Sequence, residues 1–296
     1  MVAPLAAKMP REMPNATVAG THRFLFSPST GHGVRHYDVR LGGLSSPAGL
    51  DRRRWLGRLR RALREDALVL HYQPIVSLQS GAPSHYEALV RLADDPGGRL
   101  VAPSHFLGAA ERYGLIFELD RLVVRKAIRD LRGTEDRVAV NLSALSTTDP
   151  GMLSYIAAEL RGNDVAPSRL VVEITETAAI SDMRRARAFC NEVRALGCAV
   201  ALDDIGAGFG SFYYLKHLPF DYLKIDGHFV RSLPSSLNDQ LVVKALVGVA
   251  RGLGKQTVAE FVGDYATVAL LREYGVDHAQ GFVLGRPRER SLTPAP

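Results

Sequence analysis

Two adjacent carboxylates, Asp203 and Asp204, follow a short apolar run and precede a segment with three glycines. Neighbouring side chains of a β-strand point to opposite faces, so both carboxylates converge on one site only where the strand gives way to a loop. Two anions this close repel each other and need a cation or a bound proton beside them. The pair therefore indicates a metal-binding strand end. A solvated turn before a helix is the alternative that these two residues leave open.

The elements that must position these carboxylates follow a repeating pattern from residue 67 onward. Apolar strand-like runs alternate with amphipathic helical segments, which is typical of βα units around a parallel sheet. Strands are predicted over 68–76, up to 87–89, and over 138–140, 170–172, 199–202, 222–223, 256–259 and 277–280, and helices near 104–113, 117–132, 150–161, 182–196, 238–252 and 264–274. The pattern predicts an α/β fold, a TIM-like (β/α)₈ barrel.

A polar and mostly acidic residue lies at the carboxyl end of nearly every predicted strand. All strand carboxyl ends of such a barrel open onto one face, where its active sites lie. The residues expected to meet there are Glu87, Asn141, Glu173, Asp203, Asp204, Lys224, Glu260 and Gln280. So many carboxylates at one mouth require cations, and oxygen ligands select hard ions, Mg²⁺ or Mn²⁺, over zinc.

Composition bounds the class of protein. The chain has 296 residues, 46% of them hydrophobic, which suits a globular protein of two ordinary domains or one α/β barrel. No apolar run reaches the roughly 18–20 residues of a membrane span, and no secretory signal is recognisable. Cys190 and Cys198 lack metal-ligand or redox spacing. We therefore expect reduced, buried thiols, Cys190 in a helix and Cys198 in a strand, in a cytoplasmic protein.

The net charge of +6 is concentrated in a predicted amphipathic helix over 51–66. Trp55, Leu56, Leu59 and Leu63 recur there at helical spacing with arginines around them. Such a helix binds membranes or nucleic acid in some proteins, but a linker or capping helix with a solvated face is the favoured interpretation. No nucleic-acid motif is present, so duplex nucleic acid is not an expected partner. Residues 1–50 are interpreted as a leader or linker without assigned function.

At these motifs the chain resembles the EAL-domain family, phosphodiesterases of the bacterial second messenger cyclic di-GMP. The resemblance covers roughly residues 55–290, with the domain itself placed at 67–290, and it implies a barrel with an irregular first strand. The segments that carry it are Tyr72-Gln73-Pro74-Ile75, Glu87-Ala88-Leu89-Val90-Arg91, Asn141-Leu142-Ser143, Glu173-Ile174-Thr175-Glu176, Asp203-Asp204-Ile205-Gly206-Ala207-Gly208, Lys224-Ile225-Asp226, Ala259-Glu260 and Gln280-Gly281-Phe282.

The resemblance implies a site with two Mg²⁺ or Mn²⁺ ions and a role for each matched residue. Glu87, Asn141, Glu173 and Asp203 would hold the first ion, and Asp203, Asp204 and Glu260 the second. Lys224 would contact the attacking water, Gln280 would position water or substrate, and Glu176 would hold the loop after the aspartates. Gln73 and Arg91 resemble contacts to a guanine and a phosphate, and a homodimer is expected.

Two further functions stay open beside hydrolysis of cyclic di-GMP to linear pGpG. One is a sensor that binds the nucleotide without cutting it, and the other is hydrolysis of a different nucleotide phosphodiester. Gly263 stands where the family frequently has a second glutamate, and Ile205 and Ala207 stand where it often has Phe and Thr. None of the expected metal ligands is missing, which favours catalysis.

The remaining polar residues receive ordinary interpretations. Glu111 and Asp120 fall in predicted helices, where solvated faces or caps explain them, although Asp120 could reach a guanine edge. The histidines are scattered without metal-ligand spacing, so we expect most of them to be surface or hydrogen-bonded residues.

Overall fold

In the part of the chain that the structure describes, ten strands form one sheet that closes on itself. The computed structural model describes residues 50–93, 100–206 and 213–289. The strands are β1 (Leu68–Ser77), β2 (Pro83–Ala93), β3 (Leu100–Val101), β4 (Val138–Asn141), β5 (Leu170–Thr175), β6 (Ala199–Ile205), β7 (Tyr222–Ile225), β8 (Gln256–Ala259), β9 (His278–Ala279) and β10 (Arg288–Glu289). Their order is β10-β1-β9-β8-β7-β6-β5-β4-β2-β3, and the pairing of β1 with β2 closes the barrel.

The helices follow the strands along the chain. They are α1 (Leu50–Arg64), α2 (Leu107–Arg112), α3 (Ile116–Leu131), α4 (Met152–Gly162), α5 (Glu176–Ser181), α6 (Met183–Ala195), α7 (Tyr213–His217), α8 (Gly227–Val230), α9 (Leu237–Gly252) and α10 (Tyr265–Tyr274), with 3₁₀ turns at Pro103–His105, Ser146–Thr148 and Pro167–Arg169. Ser236 and Asp264 cap α9 and α10 through their side-chain oxygens. Within the residues that the structure describes, no helix is long and apolar enough to cross a membrane.

The predicted TIM-like (β/α)₈ barrel with an irregular first strand is confirmed. Six of the eight barrel pairings are parallel, but β1 is antiparallel to both of its neighbours, β2 and β9. Its ladder with β2 also shifts register between Ile75 and Val76. Because β1 runs in the opposite direction to the other barrel strands, its interior residues near the barrel opening come earlier in the sequence than those deeper in the barrel.

Several local expectations need correction. The helix expected over 104–113 is split into a 3₁₀ turn and α2, and Cys198 lies just before β6 rather than in it. The short elements β3, β10, α5, α7 and α8 were not predicted, because two to six residues are too few to show a period. The segment 1–49, with most of the predicted leader, lies outside the described residues.

The basic helix α1 packs its apolar stripe against α2 and α3. Leu59 and Ala62 are buried, and the Trp55 ring lies 6.3 Å from the ring of Phe106 between centroids. Arg60 and Arg61 are exposed on the opposite side. This is the packing of a capping helix with a solvated basic face.

Inside the barrel, one apolar layer supports one polar layer. The buried apolar layer comprises Ile75, Ala139, Val171, Ala201, Tyr222 and Val258. Side chains of a strand return to the same face every second residue. Two residues closer to the opening, each of these strands therefore presents a polar side chain to the interior, and those side chains form the candidate site.

Candidate active site

Each of the eight barrel strands contributes one polar side chain to a ring at the barrel mouth. Glu260 and Gln280 stand one residue beyond β8 and β9, and the others lie within their strands. The polar ring consists of Gln73, Glu87, Asn141, Glu173, Asp203, Lys224, Glu260 and Gln280. All except the half-buried Asn141 are buried. Seven of the eight residues predicted to meet at one mouth belong to this ring, and the eighth, Asp204, lies beside it, whereas Gln73 was not among the predicted strand-end residues.

Lys224 is the centre of this ring. Its Nζ lies 2.6 Å from Glu173 Oε2, 2.9 Å from Glu260 Oε1 and 3.1 Å from Asp203 Oδ1, and 4.0 Å from Glu87 Oε1. Only 1% of the Lys224 side chain is exposed. One buried ammonium group therefore faces four carboxylates that come from four different strands.

The charge imbalance shifts the protonation of the ring. Burial opposes the charge of Lys224, but Asp203, Glu173, Glu260 and Glu87 together raise its pKa well above the ordinary value. Burial raises the pKa of Glu173 well above its usual range and that of Glu260 to about 8, in both cases against the attraction of Lys224. One ammonium does not compensate the charge of four carboxylates, so the ring favours the binding of further positive charge.

Amide side chains hold Glu87 in place. Asn141 Nδ2 donates to Glu87 Oε1 at 2.7 Å, and Gln280 Nε2 donates to Glu87 Oε2 at 2.7 Å. Gln280 Nε2 also lies 3.2 Å from Gln73 Oε1, and Gln73 Nε2 donates to the Gly285 carbonyl at 3.0 Å. Gln73 thus joins the ring to the segment that follows β9.

The two aspartates are positioned by a distortion inside β6 rather than at its end. The strand continues to Ile205, but its register with β7 shifts between Leu202 and Ile205, and Asp204 has a φ of +58°. This left-handed residue bends the strand so that successive side chains reach one site. Oxygens of Asp203, Asp204 and Glu260 lie within 4.8 Å of one another. Burial and the charges of Asp203 and Asp226 raise the pKa of Asp204 to about 6.

These oxygens suit hard divalent ions. Asp203, Asp204 and Glu260 form one compact group of carboxylates, and Glu87 and Glu173 face the Lys224 ammonium that Asp203 and Glu260 also contact. Among the described residues, buried Glu173 Oε1 and Gln280 Oε1 have no hydrogen-bond partner. Buried polar atoms are ordinarily satisfied, so an ion or an ordered water is expected beside them. Oxygen donors without sulfur or imidazole fit Mg²⁺ or Mn²⁺.

Glu176 holds the backbone just after the end of β6. It is buried at the start of α5, and its Oε2 accepts a hydrogen bond from the backbone nitrogen of Gly206 at 3.0 Å. Gly206 has a φ of +99°, and a Cβ there would lie 2.6 Å from the ring of Phe229. Glu176 therefore fixes the exit of β6. The loop that it was expected to hold, residues 207–212, lies outside the described residues.

A cleft of about 570 Å³ opens above the ring. Arg91 lines it, with Nη1 donating to the Val90 carbonyl at 2.9 Å. Two exposed aromatic side chains stand on the rim, Phe261 at 56% and Phe282 at 61% exposure. The volume of the cleft, the polar ring below it and the aromatic side chains on its rim fit a ligand that has both charged and planar parts.

The family model of the EAL domain matches residues 56–287. The chain belongs to the EAL-domain family. The cyclic di-GMP phosphodiesterase PdeB of Shewanella oneidensis is 39% identical over 241 residues, which cover 79% of this chain and 28% of PdeB. The bifunctional diguanylate cyclase/cyclic di-GMP phosphodiesterase MucR of Pseudomonas aeruginosa is 37% identical over 235 residues, covering 77% of this chain and 34% of MucR. The chain thus spans about a third or less of these relatives.

Solved EAL domains share the fold over nearly their whole length. A MucR phosphodiesterase structure in complex with c-di-GMP has a TM-score of 0.75 and 37% identity, covering 79% of this chain and 97% of that one. The EAL domain of FimX from Pseudomonas aeruginosa bound to c-di-GMP has a TM-score of 0.75 and 32% identity, covering 80% and 97%. The family and the barrel are therefore established for this chain.

The EAL domain also contains polar and aromatic residues that the sequence did not single out. Phe261 follows Glu260 directly and has a φ of +54°, and the Arg231 guanidinium lies 4.1 Å from its ring centroid. Both line the cleft. The sequence feature that could have indicated Phe261 is its position next to Glu260, a predicted metal ligand, in a segment without strand or helix periodicity.

The ordinary interpretation was wrong for Asp120, whereas the expectation for the histidines holds for most of them, since His105 and His228 are exposed and His85 Nδ1 lies 3.2 Å from Ser84 Oγ. Asp120 is buried rather than solvated, and its Oδ2 accepts a hydrogen bond from the Ser143 backbone nitrogen at 3.0 Å. His85 and His278 are buried in an aromatic cluster with Tyr222, and both ring nitrogens of His278 lack a hydrogen-bond partner among the described residues. Glu111 is exposed, as expected.

Proposed function

We propose that this EAL domain hydrolyses cyclic di-GMP to linear pGpG with two Mg²⁺ or Mn²⁺ ions. The observation that carries the proposal is the polar ring, which brings five of the six expected metal ligands to one barrel mouth, with the sixth, Asp204, within 4.8 Å of the Asp203 and Glu260 oxygens. Relatives named cyclic di-GMP phosphodiesterases and a neighbour in complex with c-di-GMP support the choice of substrate.

The ligand assignment is the one that the family resemblance implies, and the proximity of the Asp203, Asp204 and Glu260 oxygens supports its second group. Glu87, Asn141, Glu173 and Asp203 would hold one ion, and Asp203, Asp204 and Glu260 the other. Two bound ions would supply an activated water at neutral pH and compensate charge on the phosphoryl oxygens.

The chain's own residues would orient water and substrate. Lys224 places an ammonium at the centre of the ring, and a positive charge there favours the deprotonated form of a nearby water. Buried Gln280 Oε1 is free to accept a hydrogen bond from water or substrate. Arg91 offers a planar fork that matches a phosphate, and Gln73 would contact a guanine. Glu176 keeps the end of β6 in position.

The test is product formation by the full chain with Mg²⁺, with Mn²⁺ and with chelator. Conversion of cyclic di-GMP to pGpG that chelator abolishes supports the proposal. Tight nucleotide binding without linear product in either metal would instead make the protein a sensor. Faster hydrolysis of a different cyclic dinucleotide would keep the chemistry and change the substrate.

We also propose that the domain acts as a homodimer in the cytoplasm. The dimer is an expectation from the family resemblance, and the cytoplasm is an expectation from two cysteines without redox or metal-ligand spacing. Sedimentation of the purified chain across a range of concentrations tests the dimer, and a fully active monomer would exclude a requirement for it.

A further inference from the structure

Lys224 occupies the position where the two proposed ligand groups meet. Its ammonium contacts Asp203 and Glu260, which belong to the group with Asp204, and it also contacts Glu173 at 2.6 Å. A contact to an attacking water requires only one hydrogen bond from this side chain. The observed ammonium instead forms three close ion pairs with the carboxylates that would bind metal.

The Lys224 ammonium compensates carboxylate charge even when no metal is bound. Four buried carboxylates without a cation would repel one another and would be strongly destabilising. Lys224 is 1% exposed and has no route to pair with solvent instead. The ammonium therefore compensates part of the charge that divalent ions would otherwise compensate.

We infer that Lys224 is a resident counterion that competes with divalent metal for Asp203, Glu173 and Glu260. It keeps the mouth of the barrel folded without metal, and it weakens metal binding because an entering ion must take carboxylate contacts from the ammonium. The inference rests on the metal dependence proposed above. It adds that Lys224 sets how much divalent ion the protein needs.

The experiment compares Lys224→Met with wild type in the full chain, without nucleotide. Met removes the charge and keeps most of the length of the side chain. Binding of Mn²⁺ is measured by calorimetry and by the loss of its free electron paramagnetic resonance signal, and unfolding temperature is measured in chelator and in excess Mn²⁺. None of these readouts uses catalysis.

We expect Lys224→Met to bind Mn²⁺ about tenfold or more tightly, because ion-pair attraction at about 3 Å in a buried site is large enough to change affinity by that factor. We also expect a lower unfolding temperature in chelator and a larger rise on adding Mn²⁺ than in wild type, because metal stabilises in proportion to its affinity. Lys244→Met is the matched control. Lys244 is exposed on α9 with its Nζ 4.2 Å from the Tyr274 ring centroid, and its loss changes net charge equally. Mn²⁺ affinity and the rise in unfolding temperature on adding Mn²⁺ should therefore keep their wild-type values, although the lost ring contact can lower the unfolding temperature itself.

A second variant covers the case in which Lys224→Met does not fold in chelator. Lys224→Met/Glu173→Gln removes one carboxylate together with the amine, and it should unfold at a higher temperature in chelator than the single variant. Equal or weaker Mn²⁺ binding by Lys224→Met overturns the inference. Unfolding of the double variant at or below the temperature of the single variant also overturns it. Failure of wild type to bind Mn²⁺ would instead contradict the proposed function.

Discussion

The buried ammonium of Lys224 explains how an acidic mouth is compatible with a folded barrel. Carboxylates of β2, β5 and β6 and the one that follows β8 face each other across a few ångströms, and the ammonium from β7 lies between them. Each side chain is held by its strand, so the arrangement needs little reorganisation when substrate arrives. In the proposed hydrolysis, such preorganised charge would stabilise the charge that develops in the transition state.

At this scale Asp203 is the most sensitive position, because it belongs to both proposed ligand groups. We expect Asp203→Asn to lower the rate of pGpG formation by more than about 100-fold, since an amide lacks the charge to bridge two ions. Chromatography of the product measures the rate, and circular dichroism checks the fold. Retained turnover would contradict the bridging role.

Glu176 acts on the site through the backbone. Glu176→Ala removes the acceptor for the Gly206 nitrogen, and we expect a rate about 10- to 100-fold lower, comparable to the loss of other residues that orient metal ligands. Glu192→Ala, at an exposed position of α6, is the control and should leave the rate unchanged. If both variants turn over at the wild-type rate, Glu176 is not a positioning residue.

Two backbone contacts determine the shape of the rim at the scale of elements. Val262 donates its backbone nitrogen to the Gln280 carbonyl at 2.9 Å, which joins the segment after β8 to the segment after β9. Gly281 lies so close that a Cβ would be 2.0 Å from the Val262 carbonyl oxygen. The rim therefore needs a residue without a side chain at this position.

Gly281→Ala should push these segments apart. We expect destabilisation of about 1–3 kcal/mol, because the clash is with backbone that has no alternative rotamer. The KM for cyclic di-GMP should rise as well, since Phe282 and Gln280 flank the glycine. Gly248→Ala on α9 is the control, because a Cβ there has no atom within 4 Å and alanine favours a helix. Denaturant unfolding measures the free energy of unfolding of both variants, and steady-state kinetics measures their KM. Equal values for Gly281→Ala and Gly248→Ala would contradict the close packing at Gly281.

At the scale of the whole molecule, the barrel has one polar end for chemistry and one aromatic end for packing. At the end opposite the polar ring the His85, Tyr222 and His278 rings lie 5.2–6.0 Å apart between centroids, and Arg137 Nη1 lies 3.1 Å from the Tyr222 hydroxyl. Burial lowers the pKa of His85 to about 3, helped by the charges of its neighbours His278, Arg137 and Lys224. His85 is therefore neutral in the folded protein.

This buried histidine makes stability depend on pH. The folded pKa lies below the unfolded value of 6.5, so stability is fully present above about pH 6.5 and is lost as pH falls toward 3. We expect His85 to reduce the free energy of unfolding by about 2 kcal/mol between pH 7 and pH 5, and His85→Phe to remove that part of the loss.

Urea unfolding of wild type and His85→Phe at both pH values measures the difference. Glu260 and Asp204 have raised pKa values and contribute the opposite dependence on pH, so only the comparison of the two proteins isolates His85. An identical change from pH 7 to pH 5 in both proteins would show that His85 does not stay neutral on folding.

The sequence by itself determined which residues meet at the mouth. Strand periodicity and a polar residue at each strand end are local properties, and barrel closure brings those ends to one face whatever the details. The alternation of strands and helices likewise followed from local pattern, and most long helices were placed within two residues.

Only the tertiary structure decided how these residues are arranged. The antiparallel direction of β1, the left-handed Asp204 within β6 and the central place of Lys224 depend on contacts between strands that are far apart in sequence. The burial of Asp120 and His85 likewise arises from neighbours on other elements. Local periodicity shows the face on which a side chain lies, whereas its partners and charge state depend on what packing places opposite it.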